Sequence, residues 1–311
     1  MKRELTAAEK ARCDKIRNTR FGKFTEEQLN QTKTFVFYKY IPSEYALEFI
    51  QTRRIKVTRL SDSNDPQESV PYFTQAKHPR QWKELLKQTI FSAICLSGKC
   101  SSLPMWGHYA NWQRGVCLAF EFPIRRGEKG WLYDACGFHE DNAYYTSGNH
   151  LITKVNYQTE RPKLLPAPNW QEAVKYLFYR VLTTKGKEWE YEDEYRLIVQ
   201  EKDLIPEQGI LKYEGLAPYL RGIIMGTQCD TKKEDFEKEL KKQSKFHKVK
   251  VIQARPDTKS YRIKAGKFKD LDELALQNWF WTQKEIYNEA VKRGLLIRED
   301  DKLVIPDAKA P

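Results

Sequence analysis

The chain has 311 residues, 40% hydrophobic and 13% aromatic, enough apolar area for one large domain or a domain with small appendages, and too much for a disordered chain. Its 54 Lys and Arg outnumber 42 Asp and Glu, giving a formal net charge of +12 that fits either polyanionic partners or simple solubility. The opening MKRELTAAEK has no apolar run after its basic residues, and no stretch approaches the ~20 apolar residues that span a bilayer, so neither a secretory signal nor a membrane span is expected and a cytoplasmic location is.

Residues 1–34 are polar and basic and read as a leader or arm. FVFYKYI (35–41) predicts a buried strand, and SEYALEFIQTRRI after it a helix, with Ser43 as N-cap and Tyr45, Leu47, Phe49 and Ile50 available to pack. IKVTRL is a second strand, ending at Arg59, a candidate for phosphate binding. SDSNDPQES is a dense turn cluster in which Asn64-Asp65-Pro66 reads as a turn with Asx hydrogen bonds.

FSAICLS (91–97) predicts a strand, MWGHYA (105–110) a short helix or turn, and VCLAFEF (116–122) another strand. KVNYQ is a further strand candidate. NWQEAVKYLFYRVL has the cleanest helical period, with Asn169 and Glu172 resembling a capping box. KGK (185–187) reads as a turn into WEYEDEYRLIV (189–199). Beyond it come the strand GIIMG, the helix KKEDFEKELKKQ and the strand KVKVIQARP. From about residue 268 a helix and a hairpin, GLLI and KLVIP, are expected. With little βαβ alternation the class is α+β, divided as a basic leader (1–34), a core domain (35–264) and a C-terminal appendage (265–311).

WEYEDEYRLIV is the anomaly, since it puts four carboxylates into an otherwise apolar stretch. Its tryptophan, tyrosines and RLIV run favour a strand. Period two then sets Glu190, Glu192, Glu194 and Arg196 on one face, with Glu192 and Glu194 ~7 Å apart. Two carboxylates so close repel unless a cation, solvent or ligand hydroxyl compensates. The stretch is either a solvated edge in which Arg196 pairs with Glu194, or a carboxylate pair aimed into a pocket. His108 reads as a structural histidine, while its neighbours Trp106 and Tyr109 form the best aromatic pocket wall in the chain. Six cysteines form no CxxC pair and five histidines are scattered, so reduced thiols and no metal site are expected. No phosphate-binding glycine loop and no hydrolase or metalloprotease motif is present.

Several blocks in order, YKY (38–40), NDP (64–66), MWGHYA, GVCLAFE, WEYEDEYRLI and IIMG (223–226), resemble a bacterial family known as domain of unknown function 2971. The order of parts is also similar to ADP-ribosyltransferase-like proteins, in which an aromatic-basic strand precedes a short helix, a middle strand ends in serine near an aromatic, and a late strand carries Glu-x-Glu. FYKYIPSEYALEFI, with Lys39, resembles the first block, CLS, with Ser97, the second, and Glu192-x-Glu194 the third. Lysine stands where many members place histidine or arginine.

That resemblance implies a mixed β core with flanking helices and NAD as substrate. Glu194 would stabilise the oxocarbenium-like ribose and Glu192 would orient or activate the acceptor, with Lys39, Tyr38, Tyr40, Arg59, Ser97, Trp106, His108, Tyr109 and Arg196 around the dinucleotide. The acceptor would be nucleic acid or water, in bacterial or phage defence or toxicity. Two other classes stay open: a non-catalytic basic nucleic-acid- or nucleotide-binding module, and a metal-dependent nuclease using Asp65, Glu192 and Glu194.

Overall fold

The computed structural model describes residues 32–59, 65, 68, 92–125, 143–145, 151–162, 183–199, 203–273, 275–276, 297–299 and 302–304. The chain divides into two compact units: Lys33–Ile124 with Trp131–Leu271, and Met1–Thr32 with Arg125–Gly130 and Asp272–Pro311.

The larger unit is mixed α+β, built on a mostly antiparallel sheet with few helices. Strand β1 (Thr32–Ile41) leads through Pro42 into helix α1 (Ser43–Thr52). Ser43 does not cap α1, as its sequence position suggested; Pro42 holds that place without a side-chain cap, and Ser43 is buried in the first turn. The helix packs through Ala46, Phe49 and Ile50, whereas Tyr45 points outward. Arg53, at φ 63°, closes it by donating its N–H to the Phe49 carbonyl at 2.7 Å.

After β2 (Ile55–Arg59) and β3 (Ser92–Ser97) comes helix α2 (Leu103–His108), then β4 (Val116–Arg125). Strands β5 (Ala143–Tyr145), β6 (Leu151–Lys154), β7 (Asn156–Gln158) and β8 (Thr184–Gly186) precede β9 (Glu194–Val199). The NWQEAVKYLFYRVL helix expected between β7 and β8 lies outside the described residues. Next come the hairpin β10 (Ile205–Glu207) and β11 (Ile210–Tyr213), then β12 (Leu220–Met225), helix α3 (Lys233–Lys241) and β13 (Lys250–Gln253). A small hairpin, β14 (Arg255–Pro256) with β15 (Ile263–Lys264), follows.

The main path of the sheet runs β10-β11-β2-β3-β1-β4-β12-β13, with β9, β6 and β5 branching from β3. The apolar runs that predicted β1, β3, β4 and β12 are the strands at its centre. Val116 to Phe120 are fully buried, and Phe37 packs edge-on against Phe122 and Tyr195 with centroids 5.9 and 5.0 Å apart.

Strand β3 is the branch point that creates a site. Along one edge it pairs with β9 for its whole length, from Ser92↔Val199 to Ser97↔Glu194. Its other edge is shared: β2 pairs at Ser92 and Ala93, and β1 at Ser97. Among the described residues no ladder pair joins Ile94, Cys95 or Leu96 to β1 or β2. The sheet forks there.

In the smaller unit, Glu273, Ala275 and Leu276 are helical, and Asp272 accepts the Ala275 N–H at 2.9 Å on its side chain. Strands β16 (Ile297–Glu299) and β17 (Lys302–Val304) form the antiparallel hairpin expected there. Among the described residues no helix is long and apolar enough to cross a membrane.

Candidate functional site

A cleft of about 470 Å³ opens in the fork of the sheet. Tyr38, Lys39 and Tyr40 line it from β1, Lys56 and Thr58 from β2, and Cys95 and Ser97 from β3. Tyr109, Lys185, Glu68, Glu192 and Glu194 complete its deep end, while Glu48, Arg54 and Lys212 stand around it. Tyr38, Ser97 and Glu194 form one cross-strand row, because Tyr38 pairs with Ser97 and Ser97 with Glu194.

The glutamates do not meet as period two predicted. WEYEDEYRLIV is not one strand: Lys187–Glu192 is a 3₁₀ helix, and β9 starts only at Glu194. Between them Asp193 takes a left-handed conformation, φ 45° and ψ 55°. The turn is fixed from far along the chain. Gly98 donates its N–H to the Asp193 carbonyl at 2.9 Å, and a β-carbon on Gly98 would lie 2.4 Å from an Asp193 carboxylate oxygen. Ser97 adds a hydrogen bond from its hydroxyl to the Glu192 carbonyl at 2.6 Å.

This turn brings Glu192 and Glu194 onto a shared cation. Lys185 Nζ lies 2.6 Å from Glu192 Oε2, 3.4 Å from Glu194 Oε2 and 3.8 Å from Glu68 Oε2. Arg196 closes the network from behind, with Nε 2.9 Å from Glu194 Oε1 and Nη2 bonded to Glu68. Glu192 also accepts the Tyr109 hydroxyl, and the Glu194 N–H donates to Tyr157 Oη at 2.8 Å. Glu68, Lys185, Glu192, Glu194 and Arg196 are all buried, so none of these charges is tolerable without the others.

Proton affinities follow from that burial. Desolvation raises Glu194 above the ordinary carboxylate value, against the attraction of Lys185. Lys185 is itself penalised by burial, but Glu194 and Glu192 outweigh this and hold it firmly protonated. Lys39 moves the other way: desolvation lowers it, and Lys56 lowers it further against the pull of Cys95 and Glu194. Its ammonium donates to the Cys95 carbonyl at 3.2 Å, on the stretch of β3 where the fork opens. Burial pushes the Cys95 thiol well above its ordinary range, so that sulfur stays protonated.

Of the residues singled out from sequence, Tyr38, Lys39, Tyr40, Ser97, Tyr109, Glu192 and Glu194 share this cleft. Four do not line it. Trp106 is fully buried and gives its indole N–H to the Cys100 carbonyl at 2.9 Å, so it serves the core rather than a pocket wall. His108 is exposed, 3.3 Å from the Tyr191 hydroxyl. Arg59 sits at the exposed end of β2, and Arg196 lies behind Glu194. Asp65 is half-buried and its carbonyl accepts the Glu68 N–H at 3.0 Å, while Asn64 and Pro66 lie outside the described residues. Sequence reasoning missed Lys185 and Glu68. The one lay in a presumed turn and the other in a turn cluster, where charge is ordinarily solvated.

The fold and the cleft thus define a mixed α+β protein with a buried carboxylate pair at the floor of a forked sheet. Residues 105–197 match the model of a family described as protein of unknown function (DUF2971). The match takes in the MWGHYA, GVCLAFE and WEYEDEYRL blocks, and over that stretch bears out the family resemblance; YKY, NDP and IIMG lie outside it. No curated protein and no solved structure matches the chain.

Proposed function

We propose that the cleft binds NAD and cleaves its nicotinamide–ribose bond in the manner of ADP-ribosyltransferase-like proteins. The observation that carries this is the single row Tyr38–Ser97–Glu194, which makes neighbours of three blocks that are far apart in sequence. As the C1′–N bond breaks, its electron pair passes to the nicotinamide ring and positive charge builds on the ribose. The Glu194 carboxylate is the group at the row's end that meets this charge, and a buried carboxylate stabilises a cation more than a solvated one. The acceptor, water or a nucleic-acid group, then bonds to C1′, and Glu192 takes its proton. Lys185 holds both carboxylates in place and Arg196 holds Glu194, which makes both positioning residues. Such an enzyme would act in the cytoplasm, in bacterial or phage defence or toxicity.

A metal-dependent nuclease is less well supported. The glutamates converge on the Lys185 ammonium, which fills the position a divalent cation would need, and Asp65 does not line the cleft.

The full chain incubated with NAD should release free nicotinamide, measured by chromatography, and Glu194→Gln should reduce the rate at least ~100-fold, the usual cost of losing one preorganised electrostatic partner. Binding of NAD by Glu194→Gln, followed by calorimetry, should persist. Absence of both binding and turnover in the wild-type chain, with water and with RNA or DNA as acceptor, would sink the assignment.

A further inference from the structure

A strongly basic surface lies outside the cleft. Between Arg255 and Lys269 the chain carries Arg255, Lys259, Arg262, Lys264, Lys267 and Lys269, with Asp257 as the single acidic residue. All six cations are exposed. They sit on and beside the β14–β15 hairpin, which follows β13, the last strand of the sheet. Lys264 pairs with Asp257 at 3.1 Å, but among the described residues Arg255, Lys259, Arg262 and Lys269 have no carboxylate within ion-pair distance.

Two further observations separate this surface from an ordinary solvated face. The hairpin borders a groove of about 1080 Å³ whose walls include Lys233, Arg255, Arg262, Lys264 and Lys269. At the hairpin tip Tyr261 is 96% exposed, the most exposed large hydrophobic side chain among the described residues. The tip that presents it is built. Asp257 accepts the Lys259 N–H at 2.9 Å, the Ser260 hydroxyl at 3.0 Å and the Lys264 ammonium, and donates its own N–H to the Arg262 carbonyl at 2.9 Å. An aromatic ring left in water between Lys259 and Arg262 gains nothing for the fold.

We infer that the β14–β15 hairpin and its groove bind single-stranded nucleic acid, with Tyr261 stacking on a base and the surrounding cations following the phosphates. A cationic groove combined with an exposed aromatic is the chemistry that holds unpaired strands, whose bases offer free π-faces. A duplex hides those faces and would engage the cations alone. The foot of the hairpin is joined to the cleft wall: Asp270 accepts the N–H groups of Cys100 and Ser101 at 2.9 and 3.0 Å, Leu271 donates to the Gly98 carbonyl at 2.6 Å, and the Tyr38 hydroxyl donates to the Lys269 carbonyl. A strand held here lies beside the loop that follows Ser97. The surface stands independently of whether the cleft uses NAD.

The test is fluorescence anisotropy of labelled oligo(U) and oligo(dT), each about 20 nucleotides, with the full-length chain across a salt series. Tyr261→Ala should weaken binding ~5- to 150-fold with little change in salt slope, the range for loss of one base stack. Lys259→Glu with Arg262→Glu should weaken it more than tenfold and flatten the slope of log K against log salt by about 1.4, at ~0.7 per phosphate contact. The charge-matched control Lys33→Glu with Lys187→Glu should leave the slope unchanged. Preference for one oligomer identifies RNA or DNA as the partner, and either supports the inference. Equal affinity for a duplex or for anionic vesicles, insensitivity to Tyr261→Ala, or an equal loss in the control overturns it.

Discussion

The floor of the cleft and the β14–β15 hairpin use the same charged residue types and put them to opposite uses. At the cleft floor three glutamates and a lysine, with an arginine behind them, are buried, and each has an oppositely charged neighbour within hydrogen-bond or ion-pair reach. On and beside the hairpin six cations, with one aspartate among them, stay in water. A buried charge must find its compensation within the fold, so the cleft charges specify geometry; a solvated charge needs none and remains available to a partner. Charge density in the sequence therefore says little until burial is known.

The largest effect should come from breaking the buried network. Arg196→Leu leaves Glu194 and Glu68 buried without their guanidinium and should cost about 3–5 kcal/mol in urea denaturation, the range for removing one partner of a buried pair. A cost below ~1 kcal/mol would mean that the cleft charges are no more constrained than surface ones, and the contrast with the hairpin would fail.

A smaller effect sharpens the contrast through pH. Burial raises Glu194 above its ordinary value of 4.5, so the folded chain holds that proton more tightly than the unfolded chain. This contribution to stability is complete below the unfolded value and is lost as pH rises through the raised folded value. Gln at this position mimics the protonated form and carries no such dependence. The stability of the wild-type chain relative to Glu194→Gln should thus improve as pH falls through the raised folded value towards 4.5, read as the difference between two urea midpoints. A flat difference would show that desolvation does not burden this carboxyl.

The same division between local and distant causes decides what was legible from sequence. Apolar runs were enough for β1, β3, β4 and β12, since a strand buried on both faces announces itself in composition. The pairing of Arg196 with Glu194 was also legible, because the two residues sit two apart on one strand. The bend at Asp193 was not. Tryptophan and tyrosine favour a strand through 189–192, and what overrides them is Gly98, distant in sequence, making room for a left-handed turn. Glu68 and Lys185 looked solvated because their partners are supplied only by tertiary closure. Aromatic spacing could not tell Trp106, a core residue, from Tyr109, a cleft residue. The β10–β11 hairpin did leave a signal that went unread: Gln208-Gly209, with φ of 50° and 80°, is a two-residue turn of the kind that joins twisted strands.

The smallest expected effect tests the hairpin's side of the comparison. Lys264→Ala removes an ion pair of ordinary length, 3.1 Å, from a lysine that is 63% exposed. Water replaces the lost ammonium on Asp257, which keeps its bonds to the Lys259 N–H and the Ser260 hydroxyl, so the turn that presents Tyr261 should survive. The urea midpoint should stay within experimental scatter of the wild type, while the salt slope of oligonucleotide binding falls by about 0.7, one phosphate contact. A clear loss of stability would show that the pair holds the hairpin together rather than leaving its cations for a partner. Unchanged stability with a shallower slope would separate the two regions by experiment: remove one charge from the cleft and the fold suffers, remove one from the hairpin and only binding does.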